Sequence, residues 1–374
     1  LISLSALNGL TQINGFAVYI TNNAVLTQCV FNFLCNWLTN GGFTDISGNT
    51  CTTEDVKQSC PAIIKYVKPM AEGLGDGSSW NNASSDLQSM INSAFTSQVW
   101  VAEGTYKPTY DNNRAISFSL KNGVAIYGGF EGSENSLNLR NWSTHETILS
   151  GDIDAMGNND SYHVFYNFQS QDSTAVLDGF TVSDGNANGP GSYNGGGAIR
   201  NEGAGPSITN CKFTNNKASS NGGGAVLNLA SAARFTNCTF NSNTAPVGGS
   251  IYNDESDIKI YMCSFTSNSA SIGGGAIYNL NSAPQIVEST FISNVANDGG
   301  GIFNNLSDAI IRNSSFTSNS AQPLINSKGG GIFNLGGSPY IIHCNFTSNS
   351  STATNSISGV DQGGSGKSKQ AASG

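Results

Sequence analysis

The second half of the chain repeats one short pattern six times. Each copy contains one phenylalanine, and these residues are separated by 27, 25, 26, 25 and 30 positions: Phe213, Phe240, Phe265, Phe291, Phe316 and Phe346. An asparagine that ends a glycine-rich box recurs with the same five spacings: Asn201, Asn228, Asn253, Asn279, Asn304 and Asn334. Two markers that stay in step indicate one structural unit per period.

Each unit also contains two further columns of small or apolar residues, which we expect to point inward. Five residues before each phenylalanine lie Ile208, Phe235, Ile260, Ile286, Ile311 and Ile341. Two residues before it lie Cys211, Cys238, Cys263, Ser289, Ser314 and Cys344, which we interpret as small buried side chains, with disulfides between neighbouring coils or a metal as alternatives. The three-residue step between the columns breaks the period of two, so it predicts a turn.

A third column of asparagines follows each phenylalanine by three residues: Asn216, Asn243, Asn268, Asn294, Asn319 and Asn349. Short strands joined by Asn and Gly corners, repeating every ~25 residues, predict an all-β parallel β-helix. Its coils stack about 4.8 Å apart, so equivalent side chains become neighbours. Stacked charges would repel, whereas amides can hydrogen-bond along the stack, which explains why charged residues make up only 11% of the chain.

The charge and the cysteines indicate the compartment. A net charge of −9 without a basic run argues against nucleic acid or an anionic membrane as a partner, and no apolar run is long enough to span a bilayer. We therefore expect an extracellular or cell-surface protein. Four cysteines crowd one segment and are the candidates for disulfides, with three connectivities open and zinc as the alternative: Cys29, Cys35, Cys51 and Cys60.

Before the repeats, the spacing of Leu87, Met90, Ile91 and Ala94 predicts a short amphipathic helix with Ser84 or Ser85 as its N-cap. We expect it to cap the open N-terminal end of the β-helix. The expected organisation has four parts. Residues 1–60 form a terminal turn and Cys-rich cap, 61–150 the N-terminal cap and first irregular coils, 151–355 the regular coils, and 356–374 a flexible tail.

Several stretches resemble known families. From Gly75 to Thr181, "GDGSSW", "VWVAEGTYKPT", "GVAIYGGFEGSE" and "LDGFTVSDG" resemble secreted right-handed parallel β-helix proteins of the pectate-lyase-like superfamily. The boxes "GGGAIYN" and "GGGIFN", alternating with "FTSN", are similar to the GGA(I/L/V) and FxxN repeats of chlamydial polymorphic outer-membrane proteins, which are adhesins. "LTQINGFAVYITNNAVL" and the cysteines after it resemble the C-terminal cap of a leucine-rich, receptor-L-type domain. The resemblance implies a right-handed parallel β-helix and gives little information about function.

The superfamily resemblance makes cleavage of polysaccharides the enzymatic alternative. Such lyases use clustered carboxylates to hold Ca²⁺ and an Arg or Lys as base, and hydrolases of this fold use two or three convergent Asp. The repeats offer neither, because their acids are scattered and no column stacks two of them. The candidate members of an enzymatic site are therefore Arg114, Arg140, Asp152 and Asp154.

One acidic segment, "GDIDAMGNND", is a candidate for a calcium site. Asp152, Asp154 and Asp160, together with Asn158 and Asn159, offer the oxygen ligands that Ca²⁺ prefers. The segment departs from the D-x-D-x-[DN]-G loop at Met156, and no glutamate closes it. An ordinary polar loop is the alternative.

The glycine boxes contain an aromatic column, which forms the second candidate site. The residue before each box asparagine is, in order, Arg200, Leu227, Tyr252, Tyr278, Phe303 and Phe333. If the neighbouring Ile or Val points inward, the four aromatics face outward as a stripe that binds glycan rings or another shaft. The alternatives are that the Gly-rich loop covers the stripe or that the column is itself buried.

Together these features favour a non-enzymatic extracellular or cell-surface β-helix, a stiff shaft for adhesion or for a self-assembling filament or layer. Its partners would be glycans, surface proteins or copies of itself, and no cofactor other than Ca²⁺ is indicated. A polysaccharide lyase or hydrolase, or a carbohydrate-binding module, is the alternative.

Overall fold

The computed structural model describes residues 17–19, 43–45, 62–93, 96–154, 160–220, 222–322, 327–352 and 360–363, with the backbone alone described for the first two ranges and the last. The chain divides into two compact units, residues 1–100 and 101–374, within the strand Gln98–Ala102. No helix in the described ranges is long and apolar enough to cross a membrane. The predicted disulfide cysteines Cys29, Cys35, Cys51 and Cys60 lie outside the described residues.

The first unit contains few regular elements. The strands Ala17–Tyr19 and Phe43–Asp45 pair in parallel, and Ile64–Val67 is followed by a 3-10 turn at Trp80–Asn82 and an α-helix at Leu87–Asn92. The helix buries Leu87, Met90 and Ile91 on one face, as its spacing predicted. Ala94 lies outside the described residues.

The predicted N-cap of this helix was wrong by one or two residues. Asp86 is the cap, and its carboxylate accepts a hydrogen bond from the backbone N–H of Ser89 at 2.9 Å. Ser84 instead accepts from the N–H of Asp86 at 3.1 Å and so supports the cap from outside the helix. An aspartate is as good an N-cap as a serine and also carries the negative charge that a helix N-terminus favours.

The second unit is a parallel solenoid whose coils contribute strands to four sheets, and every strand pair given for it is parallel. Among the described residues, the phenylalanine sheet has nine strands: Gly104–Tyr106, Thr147–Ser150, Thr181–Ser183, Lys212–Thr214, Thr239–Asn241, Ser264–Thr266, Thr290–Ile292, Ser315–Thr317 and Asn345–Thr347. The isoleucine sheet contains Ala125–Phe130, Val176–Asp178, Ser207–Thr209, Arg234–Thr236, Lys259–Tyr261, Gln285–Val287, Ile310–Arg312 and Tyr340–Ile342.

The other two sheets complete each coil. The asparagine sheet contains Phe165–Phe168, Ile199–Glu202, Val226–Leu229, Ile251–Asp254, Ile277–Leu280, Ile302–Asn305, Ile332–Leu335 and Val360–Gly363. The last of these strands falls in the segment predicted as a tail. The corner sheet, which links the phenylalanine and asparagine sheets, contains Asn186–Ala187, Lys217–Ala218, Thr244–Val247, Ser269–Gly273, Val295–Ala296, Ser320–Ala321 and Ser350–Ser351. Short 3-10 turns lie at Leu137–Leu139 and Gly191–Asn194.

The register confirms the predicted vertical stacking. Phe265 pairs with Phe291, and their rings stack with centroids 4.8 Å apart and planes 3° from parallel. Both side chains are fully buried. The predicted turn between the inward columns is also present, because Asn210 and its counterparts in later coils adopt the left-handed conformation, with φ near +50°.

Two asparagine ladders run through the stack. In one, each side-chain amide donates to the next, as from Asn253 to Asn279 at 2.8 Å. In the other, the amide oxygen of Asn268 accepts from both the side chain and the backbone N–H of Asn243, each at 3.0 Å. The cysteine column is inward as predicted: Cys211, Cys238 and Cys263 are buried free thiols and Cys344 is half-buried, so the disulfide alternative does not apply to these four.

Candidate metal site

Three carboxylates meet beside the first coils of the second unit. Asp152 and Asp154 follow the strand Thr147–Ser150, and Asp160 lies before the strand Phe165–Phe168 of the same coil. One oxygen from each lies within 4.8 Å of the others. This is the one such cluster of potential metal ligands among the described residues.

Main-chain hydrogen bonds hold the carboxylates in this arrangement. The N–H of Gly151 donates to the carbonyl of Ser183 in the next coil at 2.7 Å, and the N–H of Ser161 donates back to the carbonyl of Gly151 at 2.7 Å. The N–H of Asp152 donates to the Ser150 hydroxyl at 3.1 Å. The two ends of the acidic connection therefore lie side by side.

The electrostatics of the cluster favour a cation. Asp160 is only 7% exposed, and burial together with the charges of Asp152, Asp184 and Asp154 raises the pKa of its carboxyl. Oδ1 of Asp152 and Oδ1 of Asp160 are buried without a hydrogen-bond partner among the described residues. Buried carboxylate oxygens that lack a partner are costly unless an ion or a proton compensates them.

The predicted calcium ligands are therefore brought together, and the donor set fits a hard cation, since all three ligands are oxygens. Asn158, Asn159 and Met156 lie outside the described residues. Asp184, which the sequence analysis missed, adds a fourth negative charge from the next coil. A signal for it exists, because "SGD" at Ser150–Asp152 aligns in the sheet register with "SDG" at Ser183–Gly185. Whether the site binds Ca²⁺ stays a prediction.

The two arginines proposed for an enzymatic site have structural partners. The guanidinium of Arg140 is buried in an ion pair with Asp178 at 2.9 Å and lies over the rings of Tyr127 and Trp142. It does not belong to the acidic cluster. Arg114 lies beside the cluster, where its Nε donates to the carbonyl of Asp160 at 2.6 Å and its Nη2 donates to the side chain of Asn188 at 2.6 Å.

Comparison with known proteins agrees with this architecture. Residues 196–368 match the model of the family described as "right handed beta helix region". The repeats form a right-handed parallel β-helix. No curated protein sequence matches the chain.

Two solved structures resemble the β-helix weakly. Pectate lyase Pel9A is 13% identical with a TM-score of 0.42, covering 79% of this chain and 78% of its own. The deglycosylated pectin methylesterase from Aspergillus niger is 16% identical with a TM-score of 0.42, covering 84% of this chain and 93% of its own.

The aromatic column of the β-helix faces outward but is largely covered. The neighbouring column points inward as predicted, since Ile277 and Ile302 are fully buried. However, Phe303 and Phe333 are only 7% and 4% exposed, so the prediction of an exposed stripe was wrong for them. The corner strand passes over the column: a Cβ placed on Gly273 would lie 3.0 Å from the Phe303 ring. Tyr252 and Tyr278 are half-buried.

A second polar cluster was not predicted. Arg200, at the start of the aromatic column, forms an ion pair with Glu202, and the hydroxyl of Tyr166 donates to Glu202 at 2.9 Å. His163 lies close to this cluster, with Nδ1 2.8 Å from the carbonyl of Gly196. Burial is the main cause that lowers the pKa of His163 to about 4, although contacts with carbonyl oxygens favour the protonated ring.

Proposed function

We propose that this β-helix is the shaft of an extracellular or cell-surface protein, which acts by repeated weak contacts and has no catalytic role. The observation that carries the proposal is the in-register stacking of the coils, seen at Phe265 and Phe291. Because equivalent residues lie directly above one another, any group on the outer face recurs at every coil. A ligand with repeating units can then bind several coils at once, which raises its apparent affinity.

The outer face of the phenylalanine sheet supports this function. Its strands present small hydroxyl side chains in one column: Thr239, Ser264, Thr290 and Ser315. The turn after the sheet presents an exposed serine in five successive coils: Ser242, Ser267, Ser293, Ser318 and Ser348. These neutral donors and acceptors suit an uncharged, hydroxyl-rich partner, so we propose cell-surface glycans as the ligand class.

A matched pair of threonine variants tests this surface. Thr266 and Thr236 are both half-buried on the outer side of a strand, the first in the phenylalanine sheet and the second in the isoleucine sheet. Thr266→Lys is expected to reduce binding to a neutral glycan array and to whole cells, whereas Thr236→Lys, with the same charge change, retains it. Equal binding by both variants, or no binding by the unmodified chain, would reject this face as the contact.

Electron microscopy of the same samples separates adhesion from self-assembly. Discrete particles that bind glycan support adhesion. Filaments or layers that the Thr266→Lys change disperses would mean that the partner is a second copy of the chain.

A polysaccharide lyase is the second candidate, and the position of Arg114 beside the acidic cluster favours it. A lyase needs a base, and the hydrogen bonds that Arg114 donates leave its guanidinium poorly placed to accept a proton. Incubation with acidic polysaccharides, followed by ultraviolet detection of unsaturated uronates, tests this function. Product formation that Asp152→Asn and Arg114→Ala abolish would establish it in place of the shaft.

A further inference from the structure

We propose that Asp152, Asp154 and Asp160 bind one structural Ca²⁺ ion, which holds the connection between the strands Thr147–Ser150 and Phe165–Phe168 at the start of the corner sheet. This inference is independent of the adhesive function. It rests on three observations: the place of the cluster in the coil, the unpartnered oxygens within it, and the separation of its ligand atoms.

The place of the cluster is the first observation. In later coils, a strand of the corner sheet joins the phenylalanine sheet to the asparagine sheet, and the first such strand is Asn186–Ala187. One coil earlier, the same connection runs from Ser150 to Phe165 and contains no corner strand among its described residues. The carbonyl of Ser161 in this connection accepts a hydrogen bond from the N–H of Asn186 at 2.8 Å, so the cluster lies directly against the first strand of the corner sheet.

The asparagine ladder that contains Asn216, Asn243 and Asn268 ends at the same place. Thr214 pairs with Ser183 and Ser183 with Ser150, so the position two residues later is occupied in turn by Asn216, Gly185 and Asp152. The amide oxygen of Asn216 accepts from the N–H of Gly185 at 3.1 Å, and Gly185 has no side chain to continue the ladder. The next position in the column is Asp152, and Gly185 offers no side-chain amide to donate to its carboxylate. The column therefore changes here from neutral amides to an acid.

The unpartnered oxygens are the second observation. Asp160 is more than nine-tenths buried, and its Oδ1 has no hydrogen-bond partner among the described residues, as is also true of Oδ1 of Asp152. Neither carboxylate is in an ion pair within the described ranges. Arg114, the nearby cation, directs its Nε to the main-chain carbonyl of Asp160. Within the described residues, these two buried oxygens are therefore the atoms that a cation would compensate.

The ligand chemistry favours Ca²⁺. Oxygens that lie within 4.8 Å of one another can share a hard cation. Ca²⁺ accepts an irregular set of carboxylate oxygens, whereas Mg²⁺ demands near-ideal octahedral geometry and usually keeps several waters, so a cluster of three protein carboxylates favours Ca²⁺. Three oxygen ligands without a thiol or imidazole also disfavour Zn²⁺.

The test uses the full chain, treated with EDTA and then titrated with Ca²⁺ or Mg²⁺ by calorimetry and thermal unfolding. Ca²⁺ is expected to bind and to raise the unfolding midpoint by several degrees, and Mg²⁺ to do so less at the same concentration. Asp160→Asn should weaken Ca²⁺ binding at least about tenfold, because it removes one charged ligand. Asp257→Asn is the matched control, since its exposed carboxylate accepts from the N–H of Ala283, which an asparagine oxygen can also do.

The sign of the stability change separates a metal ligand from a merely structural aspartate. Without a divalent ion, Asp160→Asn should raise the unfolding midpoint, because it removes repulsion between clustered carboxylates. With saturating Ca²⁺, the same variant should unfold below the unmodified chain. The proposal would be overturned if the midpoint of the unmodified chain does not respond to Ca²⁺, or if Asp160→Asn and Asp152→Asn respond to Ca²⁺ as strongly as the unmodified chain does. Neither result bears on glycan binding, which is measured separately in EDTA.

Discussion

At the scale of single residues, the buried asparagines explain how similar coils stack in one register. A side-chain amide has both a donor and an acceptor, so it can bond to a copy of itself above and below. Asn268 shows the full pattern: its Nδ2 donates to Asn294 at 2.9 Å and to the carbonyl of Phe240 at 3.0 Å. A carboxylate at this position would lack the donor and a leucine would lack both, so the ladder requires asparagine.

Removing one member of this ladder should therefore be costly. Asn268→Ala leaves the backbone N–H and the side-chain amide of Asn243 without their acceptor, and we expect a loss of at least about 2 kcal/mol in the free energy of unfolding. Asn241→Ala removes an exposed amide from a neighbouring coil and should change the free energy of unfolding by no more than about 0.5 kcal/mol. Denaturant unfolding of both variants checks this. Similar stabilities would show that the ladder contributes little.

Burial should protect the cysteine column from alkylating reagents. Burial raises the pKa of Cys211 to about 12 and also raises the pKa of Cys238. Because the thiolate is the reactive form, native alkylation should modify Cys344, which is half-buried in the last coil, before Cys211, Cys238 or Cys263. Mass spectrometry of peptides after timed iodoacetamide treatment measures the order. Equal rates at Cys344 and Cys238 would contradict the packed column.

At the scale of the element, each glycine pair has two separate functions. Gly274 adopts a left-handed φ of +65°, which turns the chain from the corner sheet into the asparagine sheet. Gly275 has an ordinary φ but lies so close to the next coil that a Cβ would be 2.2 Å from the carbonyl oxygen of Gly300. The first glycine is needed for conformation and the second for space.

Gly275→Ala should therefore separate two coils. We expect it to lower the free energy of unfolding by about 1–3 kcal/mol, because the added methyl meets backbone that cannot rotate away. Gly205→Ala is the control, since its Cβ would lie 3.5 Å from Ala232, in ordinary contact. Thermal unfolding of the pair measures the difference. If Gly275→Ala is as stable as Gly205→Ala, the coils are less closely packed than the structure indicates.

The limits of the sequence prediction also lie at this scale. The period of ~25 residues determines which residues stack, so Ile286 and Cys263 were correctly placed inside the coil and Phe265 was correctly stacked on Phe291. It does not determine how the corner strand Ser269–Gly273 crosses the outer face, and this strand buries Phe303. The acidic cluster was predicted from carboxylate spacing along one segment. Asp184 was missed because it comes from the next coil and is found only when "SGD" at Ser150 is aligned with "SDG" at Ser183.

At the scale of the whole molecule, neutral groups hold the regular coils together and charge is concentrated around the first ones. The coils with complete ladders stack amides, hydroxyls and rings, which do not titrate in the ordinary pH range. Asp160 and His163 lie instead just before the strand Phe165–Phe168, and Arg200 and Glu202 lie in the strand Ile199–Glu202 that pairs with it. The pH dependence of stability should therefore arise mainly from this end of the β-helix.

Between pH 6.5 and 4, His163 should make the β-helix less stable as the pH falls. Burial lowers the pKa of His163 from 6.5 to about 4, and the positive charge of Arg200 acts in the same direction. Below pH 6.5 the unfolded chain binds a proton that the folded chain does not, so stability is present above pH 6.5 and is lost as pH falls towards 4. The raised pKa of Asp160 has the opposite sign, because protonation relieves the acidic cluster, so this contribution to stability grows as pH falls towards the ordinary pKa of an aspartate.

The His163→Gln variant isolates this contribution. Glutamine keeps a donor near the carbonyl of Gly196 but does not titrate, so the variant should lose less stability than the unmodified chain between pH 6.5 and 4, by up to about 3 kcal/mol. His343→Asn, which changes an exposed histidine in the last coil, should follow the unmodified chain. Urea unfolding of the three proteins at pH 7, 5.5 and 4.5, with EDTA present to remove any cation effect, measures the slopes. Parallel slopes for the unmodified chain and His163→Gln would show that the contacts of the ring with the carbonyls of Gly196 and Ser192 keep it protonated inside the fold, contrary to the effect of its burial.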